Sequence, residues 1–247
     1  MKRIKNVIKT ITVMCVVLVC YSCNNDEMND IQQEYEKEVY AKVENASEFN
    51  NVVTVKLMVW SYNTHRYEEL ARCDWNGGRF TIGFPRIVDS IYLISPIHES
   101  WIAPQPTVII SDDNIKIADA CFVGIDKYGY EVAKFSPIRI DVNYYFTENE
   151  IGDGLKYADT EAFYTFVDSD VIISGYTAGQ GNYLLPEGSL SPGSFIQITN
   201  YSIKWKKGWN TWFFSKSHTR EGGTMIETEQ WSTTPIDGLK WYGCKLK

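Results

Sequence analysis

From Val39 to the C-terminus the apolar residues return at every second position. Val39, Ala41 and Val43 alternate with Tyr40 and Lys42, and Val53, Val55, Leu57 and Val59 alternate with Thr54, Lys56, Met58 and Trp60. Successive side chains on a strand point to opposite faces, so this period of two is the signature of a half-buried strand. No stretch after residue 45 sustains the helical spacing, and only Asp30–Ala46 carries a weak helical pattern. The chain is therefore expected to be all-β, an antiparallel β-sandwich of one or two domains, with a barrel as the related alternative.

Turn chemistry divides the alternating runs. Leu70–Trp75 and Arg79–Phe84 flank Asn76-Gly77-Gly78, and Asn-Gly supplies the positive φ angles of a tight hairpin. Asp126-Lys127-Tyr128-Gly129 predicts a second hairpin between Ile115–Ile125 and Tyr130–Phe135, and Arg220-Glu221-Gly222-Gly223 joins Thr211–His218 to Thr224–Ser232. Further strands are expected at Ser90–Ile94, Ile138–Phe146, Ala162–Val167, Val171–Ser174, Ile196–Trp205 and Leu239–Lys245. Residues 175–194 are rich in Gly, Ser and Pro and read as a long surface loop.

The stretch Trp75-Asn76-Gly77-Gly78-Arg79-Phe80-Thr81-Ile82 resembles the hairpin of the small transthyretin-like or carboxypeptidase-regulatory sandwiches. That resemblance implies a small β domain over 39–110, followed by an aromatic-rich β domain over 111–247.

The N-terminus reads as an address. Met1–Lys9 carries four basic residues and no acid, and Thr10–Ser22 is a short uncharged run dominated by Ile, Val, Leu, Met and Cys. A helix across a bilayer needs about 20 apolar residues, so this run fits the core of a secretory signal over 1–22 better than a span. Ser22 is the small residue at its end, directly before Cys23. The arrangement resembles the lipobox of bacterial lipoproteins, with Cys20 and Tyr21 where that family has an aliphatic and a small residue. The resemblance implies that Cys23 takes a diacylglycerol thioether and becomes the mature N-terminus, anchored in the lipid bilayer. Asp26, Glu27, Asp30, Glu34, Glu36 and Glu38 then face Lys37 alone. Such a segment self-repels, which predicts a tether over 23–38. It also resembles the acidic export signal of surface lipoproteins in gut-type Gram-negative bacteria, implying an outer-membrane, cell-surface location.

Losing the leader leaves 20 Lys and Arg against 31 Asp and Glu, a net of −11. Nucleic-acid binding relies on clustered Lys and Arg, so no nucleic-acid partner is expected. Cys73, Cys121 and Cys244 show no CxxC spacing, and His65, His98 and His218 are scattered. No metal and no cofactor are expected. The three cysteines read as buried thiols, with at most one internal disulfide.

Aromatic residues supply the candidate binding site. Trp205, Trp209, Trp212, Trp231 and Trp241 crowd the C-terminal part with Tyr201, Phe213, Phe214 and Tyr242. Flat indoles stack on sugar rings, so the sharp reading is a glycan platform; the competing one is core filling, which large aromatics do well in β proteins. Glu148 with Glu150, Asp168 with Asp170 and Asp112 with Asp113 offer carboxylate pairs of the kind glycosidases use, though spacing alone makes them turn and loop acids. No G-x-S-x-G, H-E-x-x-H or G-x-x-x-x-G-K is present. The leading expectation is an envelope lipoprotein that binds an extracellular ligand, a glycan first, without catalysis. A structural subunit of an envelope or fimbrial complex is the alternative, and a hydrolase using acids from Glu148 to Asp153 the third.

Overall fold

The computed structural model describes residues 35–96, 107–140, 158–184, 190–221 and 224–246. Cys23, the leader, the tether up to residue 34, and Glu148 and Glu150 lie outside them. The described part belongs to one compact unit, Tyr35–Lys247.

All the long elements are strands: β1 (Tyr35–Lys42), β2 (Val52–Ser61), β3 (Arg66–Asp74), β4 (Arg79–Pro85), β5 (Val108–Ile110), β6 (Ile117–Asp126), β7 (Glu131–Ile140), β8 (Ala158–Val167), β9 (Val171–Leu184), β10 (Leu190–Trp205), β11 (Gly208–Glu221), β12 (Thr224–Ser232) and β13 (Lys240–Lys245). The fold is all-β and sandwich-like. A two-stranded sheet, β1 against β4, lies over an 11-stranded sheet. Val39, Ala41, Phe80, Ile82 and Phe84 of the small sheet meet Val55, Leu57, Val59, Phe122, Phe135, Phe166 and Trp209 of the large one in the first core. Every pairing is antiparallel except β10 with β12, which is parallel.

Several expectations change here. Asp30–Ala46 holds strand β1, with Val39 and Ala41 buried and Tyr40 and Lys42 exposed, so the alternation outweighs the weak helical pattern. The expected tether therefore loses its last four residues to the sheet, where the Lys37 ammonium donates to Thr211 Oγ1 at 2.6 Å. The Asn76-Gly77-Gly78 turn forms, with φ of 58° at Gly77 and 105° at Gly78. Its arms do not pair with each other: β3 pairs with β2 and β4 with β1, so the turn carries the chain from one sheet to the other. Gly78 is needed for a second reason, because a Cβ there would come within 2.5 Å of the Ala46 Cβ. Most of the expected 175–194 loop is instead strand: β9 and β10 pair in one register from Val171↔Trp205 to Asn182↔Ser194, and after a register shift Leu184 pairs with Leu190. Backbone ladder bonds need no particular side chains, so composition alone misreads this stretch. Ser90–Tyr92 is a 3-10 turn rather than a strand.

The division near residue 110 does not separate two packed bodies. Strand β2 pairs with β6, and the first core draws on both segments.

Strands β6, β7 and β8 meet at a three-way junction. Ile117–Ala120 of β6 pairs with β8, whereas Phe122–Ile125 pairs with β7. Strand β7 leaves β6 after Phe135 and takes up β8 from Ile138. Pro137 sits at that switch, which is why one strand runs through a residue that cannot donate to a ladder. Strand β13 covers the opposite edge of β7.

Candidate functional site

The far half of the large sheet is rolled. Strands β8 and β9 are joined by Asp168–Asp170 alone, yet β11, β12 and β10 lie between them in the sheet. In a flat sheet four strand spacings cover about 19 Å, whereas the link from Val167 to Val171 reaches at most about 14 Å. Strands β10 and β11 are likewise joined by Lys206 and Lys207 with β12 between them. The two turns touch: Asp170 accepts from Lys206 Nζ at 2.6 Å and from the Lys207 amide at 2.8 Å. The 111–116 loop closes the same end. Asp168 accepts from the Lys116 amide at 3.0 Å, and Ser169 donates to Asp112 Oδ2 at 2.9 Å. Thus Asp112, Asp168 and Asp170 hold turns together, as turn acids do.

Inside the roll lies a second core of Ile115, Ile117, Val167, Val171, Ile173, Tyr201, Ile203, Trp205 and Trp212. Its aromatic side is a column. Phe163 stacks on Trp212 at 4.5 Å and 18°, and Trp212 stacks on Trp231 at 5.0 Å and 19°. Phe214 meets Trp231 edge-on at 6.1 Å, and Tyr201 tilts against it at 5.8 Å. Phe163, Phe214 and Trp231 are only half-buried. Among the described residues the buried indole N–H groups of Trp205 and Trp231 have no hydrogen-bond partner. Such donors are uncommon in folded proteins because each costs about 1–3 kcal/mol.

Toward the other end of the strands the same face turns polar. Thr177, Thr199, Glu229 and Lys216 stand in one cross-strand row, the next but one from Tyr201, Trp231 and Phe214 along each strand. The Lys216 ammonium lies 2.7 Å from Glu227 Oε2 and 3.6 Å from Glu229 Oε1, and Thr199 donates to Glu229 Oε2 at 3.1 Å. Glu227 is buried, its side chain only 8 % exposed. Among the described residues the cluster sets the Glu227 and Glu229 carboxylates against the Lys216 ammonium beside a stacked aromatic column. It accepts hydroxyl protons, donates through lysine and offers a flat ring face.

A hydrogen-bonded chain leaves the column in the opposite direction. Trp212 Nε1 donates to Thr165 Oγ1 at 2.8 Å, and the Thr165 hydroxyl donates to Asp119. Burial pushes the Asp119 carboxyl up to about 7, the Thr165 bond opposing. Glu161 is also raised by burial, against a bond from Ser136 and the nearby Lys134.

The five tryptophans do not form one exposed platform. Trp209 is buried in the first core, donating to the Pro85 carbonyl at 2.8 Å and meeting Phe84 edge-on at 4.6 Å. Trp241 packs there too, between Phe80 and Phe122 and over Tyr164. Trp205 and Trp212 are buried in the second core, whereas Trp231 and Trp241 are half-buried. Core filling is the better description of four, because a rolled sheet buries one face and a covered sheet the other. The charged cluster was missed, although counting back from the Gly222-Gly223 turn places Lys216 opposite Glu229. Among the described residues Cys73, Cys121 and Cys244 are not in disulfides, and no group of His, Cys, Asp and Glu is arranged to hold a metal ion. No protein-family model matches the chain, and no curated protein or solved structure is similar enough to it to count as a relative.

Proposed function

We propose that this chain is a lipid-anchored protein of the cell envelope whose β body binds a glycan at the Trp231 edge of the rolled sheet. The observation that supports this reading most is the juxtaposition of a half-buried stacked indole with the Lys216–Glu227–Glu229–Thr199 cluster. Sugars combine an apolar ring face with a rim of hydroxyls, and a site for them needs a flat aromatic surface beside convergent polar groups. Binding without turnover is the form of the proposal, because the two carboxylates are already engaged by Lys216 and Thr199.

The anchor half of the proposal rests on the Ser22-Cys23 junction after a basic, apolar leader. Cys23→Ala is expected to abolish acyl labelling and membrane association, and Cys20→Ala to leave both intact. For the ligand, a panel of polysaccharides is titrated against the mature chain by tryptophan fluorescence. Trp231→Ala should remove the response, and Lys216→Gln should weaken it at least tenfold. A flat response across the panel, or unchanged binding by Trp231→Ala, would overturn the glycan reading.

A further inference from the structure

We infer that the corner formed by Trp60, Tyr62 and Tyr67 beside Asp119 is a binding site for a small alkylated ammonium ion. It lies on the β2–β3–β6 part of the large sheet, away from the Trp231 edge, and is independent of the glycan reading.

The register assembles it. Trp60 pairs with Tyr67, and Val59 pairs with Ala120, so the next position along sets Trp60 beside Asp119 on the same face. Asp119 in turn pairs with Thr165. Tyr67 and Tyr62 both stand edge-on to the indole, at 5.1 Å and 73° and at 6.2 Å and 88°. Two rings nearly perpendicular to a third make the walls of a corner, and the corner is open: Tyr67 is 48 % exposed, and Trp60 and Tyr62 are half-buried. An aromatic cluster so exposed at the end of a hairpin serves no core.

Among the described residues the charge beside the corner that lacks an ion pair is the Asp119 carboxylate. The Tyr67 phenol is held above its ordinary range by burial and by the proximity of Cys121, Asp119, Tyr62 and Glu131. Among the described residues Asp119 makes one bond, to Thr165, and no ion pair. The basic side chains nearby are otherwise engaged: Lys56 and Arg72 with Glu69, and Arg66 with Glu68. Lys134 acts on Cys121 and Glu161. A desolvated carboxylate without a counter-charge is costly, and a ligand cation removes that cost. The faces of Trp and Tyr attract the same cation, best when it is alkylated and weakly hydrated. Calcium takes six to eight oxygens, which one carboxylate and three rings do not provide. An anion would meet repulsion.

The test uses the mature chain, with choline chloride as probe and sodium chloride at equal ionic strength as control, read by tryptophan fluorescence and by calorimetry. Saturable binding of choline is expected, at least tenfold tighter than that of its uncharged isostere 3,3-dimethylbutan-1-ol. Asp119→Asn keeps the size and the Thr165 contact and should weaken choline at least tenfold. Trp60→Leu should do the same, while Trp60→Phe retains part of the affinity. Near-ultraviolet circular dichroism checks that each variant is folded. Phosphatidylcholine vesicles, mixed with the same protein lacking its acyl chains, distinguish a lipid headgroup from a free ammonium compound; binding to either supports the site. It is overturned if choline acts no differently from sodium, if the neutral isostere binds equally, or if folded Asp119→Asn binds choline unchanged.

Discussion

Replacing Asp119 by Asn should make the folded protein more stable at neutral pH while it empties the proposed cation site. Burial raises the folded-state carboxyl from an ordinary 3.8 to about 7. In the unfolded chain it ionises near the ordinary value, so between about pH 4 and pH 7 the folded state binds more protons than the unfolded one. Stability is therefore fully present below about pH 4, falls as the pH rises through that window, and stays low above it. One decade of proton affinity is 1.36 kcal/mol, so the full penalty at pH 8.5 is about 4 kcal/mol, and ~1–3 kcal/mol once water at the half-buried oxygen is allowed for. Asparagine accepts the Thr165 bond without a charge, so the variant should gain that amount at pH 8.5 and almost nothing at pH 4. Urea unfolding of both proteins at pH 4, 5.5, 7 and 8.5 measures it. Glu161, raised by the same cause, adds its own slope to both proteins and cancels in the difference. A difference flat across pH, or a variant weaker than the parent at pH 8.5, would refute the reasoning.

Other perturbations follow from the packing. Trp209→Ala removes a buried indole and its bond to Pro85, and should cost about 3–5 kcal/mol in urea unfolding. Lys216→Ala removes the ammonium that Glu227 and Glu229 share, and should cost about 3 kcal/mol, against almost nothing for Lys206→Ala at the exposed Asp170 pair. Gly175→Ala should destabilise the β5–β9 edge by more than about 2 kcal/mol, because φ there is 118° and the new Cβ would lie 2.0 Å from the Thr107 carbonyl oxygen. Local hydrogen exchange at Val108–Ile110 reads that loss directly.

What the sequence discloses follows the range of the forces involved. Alternation and turn residues are local, so the strands β2, β6, β8, β11 and β12 and the Asp126–Tyr130 hairpin are legible by inspection. Pairing is not local. Nothing in Asn76-Gly77-Gly78 says that its arms belong to different sheets, because the same positive φ angles serve both purposes. The Trp205–Trp241 set reads from sequence as a ligand platform or as core filling, and nothing in its spacing says that the chain divides it between two cores on opposite faces of one sheet. Trp60 and Asp119, more than fifty residues apart, meet only once β2 finds β6. The Lys216–Glu229 pair is the intermediate case, written in a hairpin and readable once its turn is fixed.

The place of β12 bears on how the protein is made. Strands β10 and β11 are joined by two residues, and such a link invites them to zip into a hairpin as soon as both are synthesised. In the native sheet they are parted, with β12 between them and β11 already turned toward β8. A nascent chain ending before Thr224 therefore holds its neighbouring strands in a pairing it must later abandon, and completing β12 exchanges a local ladder for a distant one. The last steps of folding are expected to be a strand exchange rather than a docking. Pulse-labelling hydrogen exchange should find the Phe195–Ser202 amides protected after those of β8, and simultaneous protection would remove the idea.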